Sequence, residues 1–117
     1  MELAAQIVVG LVAVIHFYIL VLEMFLWRTD RVRATFGTTG EFAEQTSTMA
    51  ANQGLYNGFL ATGLVYGLIT DDPTFQVFFL GCVLVAGIYG ALTVTRRILF
   101  VQAIPAAVAL LLVLLAY

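Results

Sequence analysis

Four apolar runs, each long enough to cross a bilayer, constrain this chain more than any other feature. A transmembrane helix needs about 20 mostly apolar residues to cover roughly 30 Å of hydrocarbon. The runs cover about residues 3–27, 49–70, 75–95 and 98–117. Only Gln6, His16 and Glu23 interrupt the first. The second stops at Asp71-Asp72-Pro73, a turn signal, because adjacent acids avoid lipid and proline favours an extended predecessor. Arg96-Arg97 ends the third. The fourth carries only Gln102 and Pro105 as irregularities, and Pro105 should bend the helix and free the carbonyl of Val101. The expectation is an all-α fold, an integral membrane four-helix bundle forming a single four-span domain over 1–117.

Composition supports bilayer over water. With 62% hydrophobic and 10% charged residues and a mean hydropathy of +1.04, a soluble domain this short would leave wide apolar surface exposed. The chain has no lysine and a net charge of -2, so it lacks the basic field that nucleic acid requires. Nucleic acid is excluded as a partner, and the bilayer takes its place. Cys82 is the one cysteine, which rules out an intrachain disulfide and a cysteine zinc site. A cleaved signal peptide would open on a basic segment. Met1-Glu2 and the length of the first run instead predict a retained span.

Arginine placement sets the orientation, since basic residues near membrane ends favour the cytoplasm. Arg28, Arg31 and Arg33 follow the first span, and Arg96 and Arg97 follow the third. With four spans, all five share one side. Both termini and the Asp71-Asp72 turn are then outside, and the long loop from Arg28 to about Thr48 is cytoplasmic. Within that loop, Glu41-Phe-Ala-Glu-Gln45 can form a short interfacial helix capped by Thr38 or Thr39. Trp27 falls at the cytoplasmic interface, where indole rings are favoured.

Ionisable groups inside spans are costly and by default face the bundle interior. His16 and Glu23 lie seven residues apart, which on a helix places them within roughly 20° of one face and about 10.5 Å apart along the axis. Leu20 and Trp27 complete the stripe. Asn52, Gln53, Tyr56 and Asn57 enter the second span from the same side, at overlapping depth if the helices are antiparallel. Thr93 and Gln102 reach a comparable depth on the third and fourth spans. These groups outline a polar site near the cytoplasmic side. Glu23 and His16 are its candidate acid-base groups, and Asn52, Gln53, Tyr56, Asn57, Trp27 and Gln102 its candidate ligand-binding groups. The plainer alternative is that amides and hydroxyls join helices, each contributing about 0.6–2 kcal/mol. It fits Thr93, Gln102 and Tyr89 best. Metal binding at His16 and Glu23 would need further ligands, and no second histidine or nearby cysteine supplies them.

The second span also carries Gly54-Leu-Tyr-Asn-Gly58 and Gly63-Leu-Val-Tyr-Gly67, two small-xxx-small patterns that permit close backbone approach. They face nearly opposite sides, which suits a helix packed between two neighbours or a homodimer interface. Ala86, Gly87 and Gly90 are expected to answer one of these faces.

The run from His16 to Trp27, the stretch Asn52-Gln-Gly-Leu-Tyr-Asn57-Gly, the segment Ala86-Gly-Ile-Tyr-Gly90 and Gln102-Ala-Ile-Pro105-Ala together resemble the small bacterial membrane family catalogued as domain of unknown function 1304. The resemblance covers essentially the whole chain. Ala103 departs from it, standing where the family pattern has glycine. It implies the four-span fold and a multi-pass place in the bacterial cytoplasmic (inner) membrane, and it carries no activity or cofactor. Function is therefore read from the polar groups. The first reading is a site for a small or lipid-soluble ligand, with acid-base chemistry at Glu23 and His16. The alternatives are a proton-coupled transporter acting as a dimer and an accessory membrane subunit.

Overall fold

The structure, a computed structural model, describes residues 2–117, and among these it is helical with no strand. Its elements are α1 (Glu2–Met24), α2 (Asp30–Phe36), α3 (Gly40–Ile69), α4 (Pro73–Thr93) and a π-helical stretch (Leu99–Ala103) that runs directly into α5 (Ile104–Ala116). Three helical stretches are long and apolar enough to cross a membrane: α1, α4 and Leu99–Ala116. The 30-residue α3 is about 45 Å long.

Several boundaries differ from the sequence expectation. α1 ends at Met24, so Trp27 lies in the following turn and not on the helical stripe of His16 and Glu23. α3 begins at Gly40 and absorbs the Glu41–Gln45 segment, which is its first turns and not a separate interfacial helix. Thr39 does cap it, accepting from the Phe42 amide at 3.1 Å. The short helix of this loop is α2 instead. Thr29 caps its start through the Val32 amide at 3.4 Å, and Gly37 closes its end in the left-handed conformation (φ 69°), which costs glycine nothing sterically.

The chain divides into two compact units, one formed by the residues up to Ile15 with Leu60–Tyr117 and the other by His16–Phe59. In the first, Ala5, Val9, Val12, Leu64, Leu80, Val83, Ala106, Ala109 and Val113 form the buried core. Its alanines permit the close helix contacts that packing in lipid favours. α3 and α4 run antiparallel here: a methyl added at Gly63 would meet the Phe79 ring, and one at Gly67 would lie 2.9 Å from Gln76 Cγ. The turn between them follows the expected Asp71-Asp72-Pro73 signal. Asp71 adopts a left-handed φ of 51°, Asp72 Oδ1 accepts from the Thr74 and Phe75 amides at 3.0 and 3.3 Å, and Pro73 opens α4 where its missing N–H costs no hydrogen bond.

Gly87 and Gly90 do not answer the glycines of α3. They face the fourth segment, where a methyl at Gly87 would lie 2.8 Å from the Ala103 nitrogen and one at Gly90 3.1 Å from Ile98 Cδ1. α4 reserves Gly87 for the backbone of the π-helical stretch and Gly90 for the Ile98 side chain. That stretch precedes Pro105, and the Ile104 amide bonds back to Leu99. Proline has no N–H to offer the carbonyl four residues before it, and the local widening re-pairs the neighbouring backbone.

The apolar residues are not gathered on the inward faces alone. On α1, Ala5, Val9, Val12 and His16 are buried, while Leu3, Ile7, Leu11, Val14, Tyr18 and Val21 form an exposed stripe at helical spacing. Ile104, Val108, Leu111 and Leu115 repeat this on α5. Helices apolar all round are at home in hydrocarbon.

Candidate functional site

The polar site lies within the His16–Phe59 unit, where the second half of α1 meets the first two-thirds of α3. The two segments are antiparallel: Met24 lies against Gly54, Leu20 against Gly58, and Glu23 against Asn57. Glycine makes this approach feasible. A methyl at Gly54 would stand 3.1 Å from Glu23 Cβ and 3.2 Å from the Leu20 carbonyl oxygen, and one at Gly58 would collide with Leu20 Cδ1 at 2.5 Å. Because the backbones are so close, the short Asn57 side chain reaches across. Its Nδ2 donates to Glu23 Oε1 at 2.8 Å and to the Gln53 carbonyl at 3.2 Å within its own helix.

His16, Glu23 and Asn57 are all buried, at 1%, 6% and 8% exposure, so neither His16 nor Glu23 points outward. His16 stands two turns from Glu23 on the same face, with Leu20 between them, so a direct contact of the two side chains is out of reach at roughly 10.5 Å. Asn57 can hold the carboxyl in either protonation state, since an amide N–H donates to a carboxylate and, more weakly, to the carbonyl oxygen of an acid.

The other sequence candidates fall elsewhere. Asn52, Gln53 and Tyr56 are exposed side chains of α3. The reason is rotational: if Gly54, Asn57 and Gly58 face α1, positions 52 and 56 fall on the far side of the helix and 53 at its edge. Tyr56 stacks edge-on against Phe59 with ring centroids 5.7 Å apart, and Gln53 contributes only its carbonyl. Trp27 lies below the site. Its Nε1 donates to Thr46 Oγ1 at 3.1 Å, and its ring packs 5.2 Å from that of Phe36. This fastens the turn after α1 to α2 and to the start of α3, with Val32 and Ala43 buried nearby in sequence. Arg28 and Glu44 add an ion pair at 3.0 Å with both side chains more than half exposed, a geometry of small energetic value. Gln102 belongs to the other unit, half-buried in the π-helical stretch. Thr93 returns its hydroxyl to the Tyr89 carbonyl at 2.7 Å, a local bond with no partner helix.

A buried polar side chain that the sequence reading passed over is Gln76, 1% exposed. Its Nε2 donates to the Gly67 carbonyl at 3.0 Å, closing the end of α3 against the start of α4. An amide one turn into an apolar run, opposite a glycine, is the signal that marks it. Among the described residues no three His, Cys, Asp or Glu side chains converge as a metal-ligand set.

Among the described residues, these features define a small, all-helical protein with three helices fit to cross a membrane and a buried carboxyl-amide pair between two of its helices. The chain belongs to the family described as Protein of unknown function (DUF1304), which matches residues 10–114. It is also similar to the Uncharacterized protein YpaA of Lactococcus lactis subsp. lactis (strain IL1403), with 31% identity over 96 residues, 79% of this chain and 81% of the relative. No solved structure matches it.

Proposed function

We propose that this protein is a four-span helical bundle of the bacterial cytoplasmic membrane, with both termini outside, whose Glu23–Asn57 pair is the centre of a binding site for a small or lipid-soluble ligand. The observation that carries this reading is the 2.8 Å bond between Asn57 and Glu23, made between α1 and α3 with both side chains buried. An ionisable residue at membrane depth is expensive to keep and marks a ligand or proton site by default. α3 serves as the fourth span: its glycines receive α1 in one unit and α4 in the other, and its 45 Å length exceeds the hydrocarbon thickness, leaving the polar Glu41–Thr48 turns outside the lipid. The site then lies toward the end of α1 that carries Arg28, Arg31 and Arg33, the cytoplasmic end. Glu23 is the proton-exchanging group, Asn57 orients it, and His16, two turns deeper, is the second acid-base group.

Dicyclohexylcarbodiimide, which enters lipid and adds to protonated carboxyls, tests this in the purified protein. The expected result is one adduct, on Glu23, absent in Glu23→Gln and diminishing as pH rises. Lipid-soluble compounds can then be screened for protection of Glu23 from the reagent, and a compound that protects occupies the site. Absence of any Glu23 adduct in folded protein between pH 5 and 8 would remove the proposal.

A further inference from the structure

A second feature lies at the opposite pole of charge, in the unit that does not contain Glu23. Ile88, Ala91 and Leu92 of α4 and Leu99 and Phe100 of the π-helical stretch line a groove of about 430 Å³, and Arg96 stands in its wall. That volume is within the range of roughly 300–1,000 Å³ typical of ligand sites. Leu92 and Phe100 are 82% and 67% exposed, so the groove opens outward. Arg96 has no ion pair among the described residues. The acids of the same unit, Glu2, Asp71 and Asp72, stand far away: Asp72 caps the other end of α4, and Glu2 and Asp71 both receive the Tyr117 hydroxyl. The 21 residues of α4 put about 30 Å between Asp72 and Arg96, several screening lengths in physiological salt.

We infer that this groove seats an anionic phospholipid, with its phosphate on the Arg96 guanidinium and an acyl chain along Leu92, Leu99 and Phe100. Each half of the groove fits one half of that molecule. A guanidinium binds phosphate oxygens in a bidentate fork, and apolar side chains beside it, at the end of a membrane-length helix, meet the first carbons of the acyl chain. Basic pockets between helices at the cytoplasmic face recognise anionic headgroups in this way. The inference rests on the membrane reading and is independent of Glu23.

The test uses the full-length protein, first shown to stay in the membrane through an alkaline wash, then delipidated in detergent and followed by native mass spectrometry. Phosphatidylglycerol and phosphatidylcholine with identical chains are the probes. The expected result is one phosphatidylglycerol retained at least tenfold more tightly than phosphatidylcholine. Arg96→Gln should erase that preference without changing the melting temperature, and Ala91→Trp, which fills the groove, should weaken retention of both lipids. Equal retention of the two lipids by the wild type, or a preference that survives Arg96→Gln, overturns the inference. Displacement of the lipid by millimolar inorganic phosphate would assign Arg96 to a free anion and also overturn it. Release of the protein by the alkaline wash would instead overturn the membrane reading, before any lipid is added.

Discussion

Asn57 and Glu23 differ in what their removal should do. Asn57→Ala leaves the carboxyl buried without its cross-helix donor, at a cost of about 0.6–2 kcal/mol by the measured range for such bonds in lipid. Glu23→Gln keeps the shape and two hydrogen-bonding ends while removing the ionisable group. Its thermal stability in detergent should hold or rise while proton exchange at the site disappears. Unfolding of Glu23→Gln, measured by circular dichroism melting, would make Glu23 a structural residue and not a functional one. Tyr117 offers an independent residue-scale test. Its phenol is pushed up to about 12 from an ordinary 10.0, first because the hydroxyl donates to Asp71, with Glu2 adding a second negative neighbour. The folded state therefore favours the neutral phenol, and the stabilisation is complete below pH 10 and lost as pH rises through about 12. Comparing melting temperatures of the wild type and Tyr117→Phe from pH 9 to pH 12 should show this stabilisation, and its loss at high pH, in the wild type alone. At this scale the sequence revealed that His16 and Glu23 are turned inward together, because an acid and an imidazole seven apart share a face whatever surrounds them. It did not reveal which polar residue of α3 meets them. Asn52, Gln53, Tyr56 and Asn57 spread over about 140° of the helix circumference, and only the rotation set by Gly54 and Gly58 selects Asn57.

Among the helices, the glycines divide into those that carry a contact and those that do not. A methyl at Gly54 or Gly87 would meet backbone atoms of the neighbouring segment, whereas Gly10 and Gly81 have open space within 4 Å. Backbone cannot swing aside as a side chain does. Gly54→Ala and Gly87→Ala should each destabilise by about 1–3 kcal/mol, and Gly54→Ala should also lengthen the Asn57–Glu23 bond. Gly81→Ala should be neutral or stabilise by about 0.5–1 kcal/mol, the ordinary gain of alanine over glycine inside a helix. Melting the three variants side by side checks the ranking, and an equal loss in all three would show that the close approaches are not what holds the helices together. The two small-xxx-small patterns were legible in the sequence as faces for two neighbours. Which neighbour met which face was not, because glycine patterns record only that something comes close. Helix ends were harder still: Gly40 starts α3 because Thr39 caps it, and polar residues from Glu41 to Thr48 disguise that start when hydropathy alone is followed.

For the molecule as a whole, the decisive quantity is the number of times the chain crosses the bilayer. Three helices qualify by length and apolar content, and the proposal adds α3. Parity makes the difference measurable. With four crossings, the arginines after α1 and those after α4 fall on one side. With three, Arg96 and Arg97 would lie opposite Arg28, Arg31 and Arg33, against the tendency of basic residues to remain in the cytoplasm. The pairwise geometry favours four, since α1 against α3, α3 against α4, and α4 against the Ile98–Ala103 segment are each antiparallel within their own units. Reporter fusions near Arg33, near Asp72 and after Tyr117 should therefore read cytoplasmic, external and external. If α3 did not cross, the Asp72 fusion would share the cytoplasmic signal of the Arg33 fusion, although α4 and α5 would still return Tyr117 to the side of Asp72. The Asp72 fusion is thus the discriminating one, because its side relative to Arg33 depends on α3 alone. A cytoplasmic signal there would place the Glu23–Asn57 pair between a spanning helix and one lying outside the hydrocarbon, and the case for a site enclosed within the membrane would fall with it.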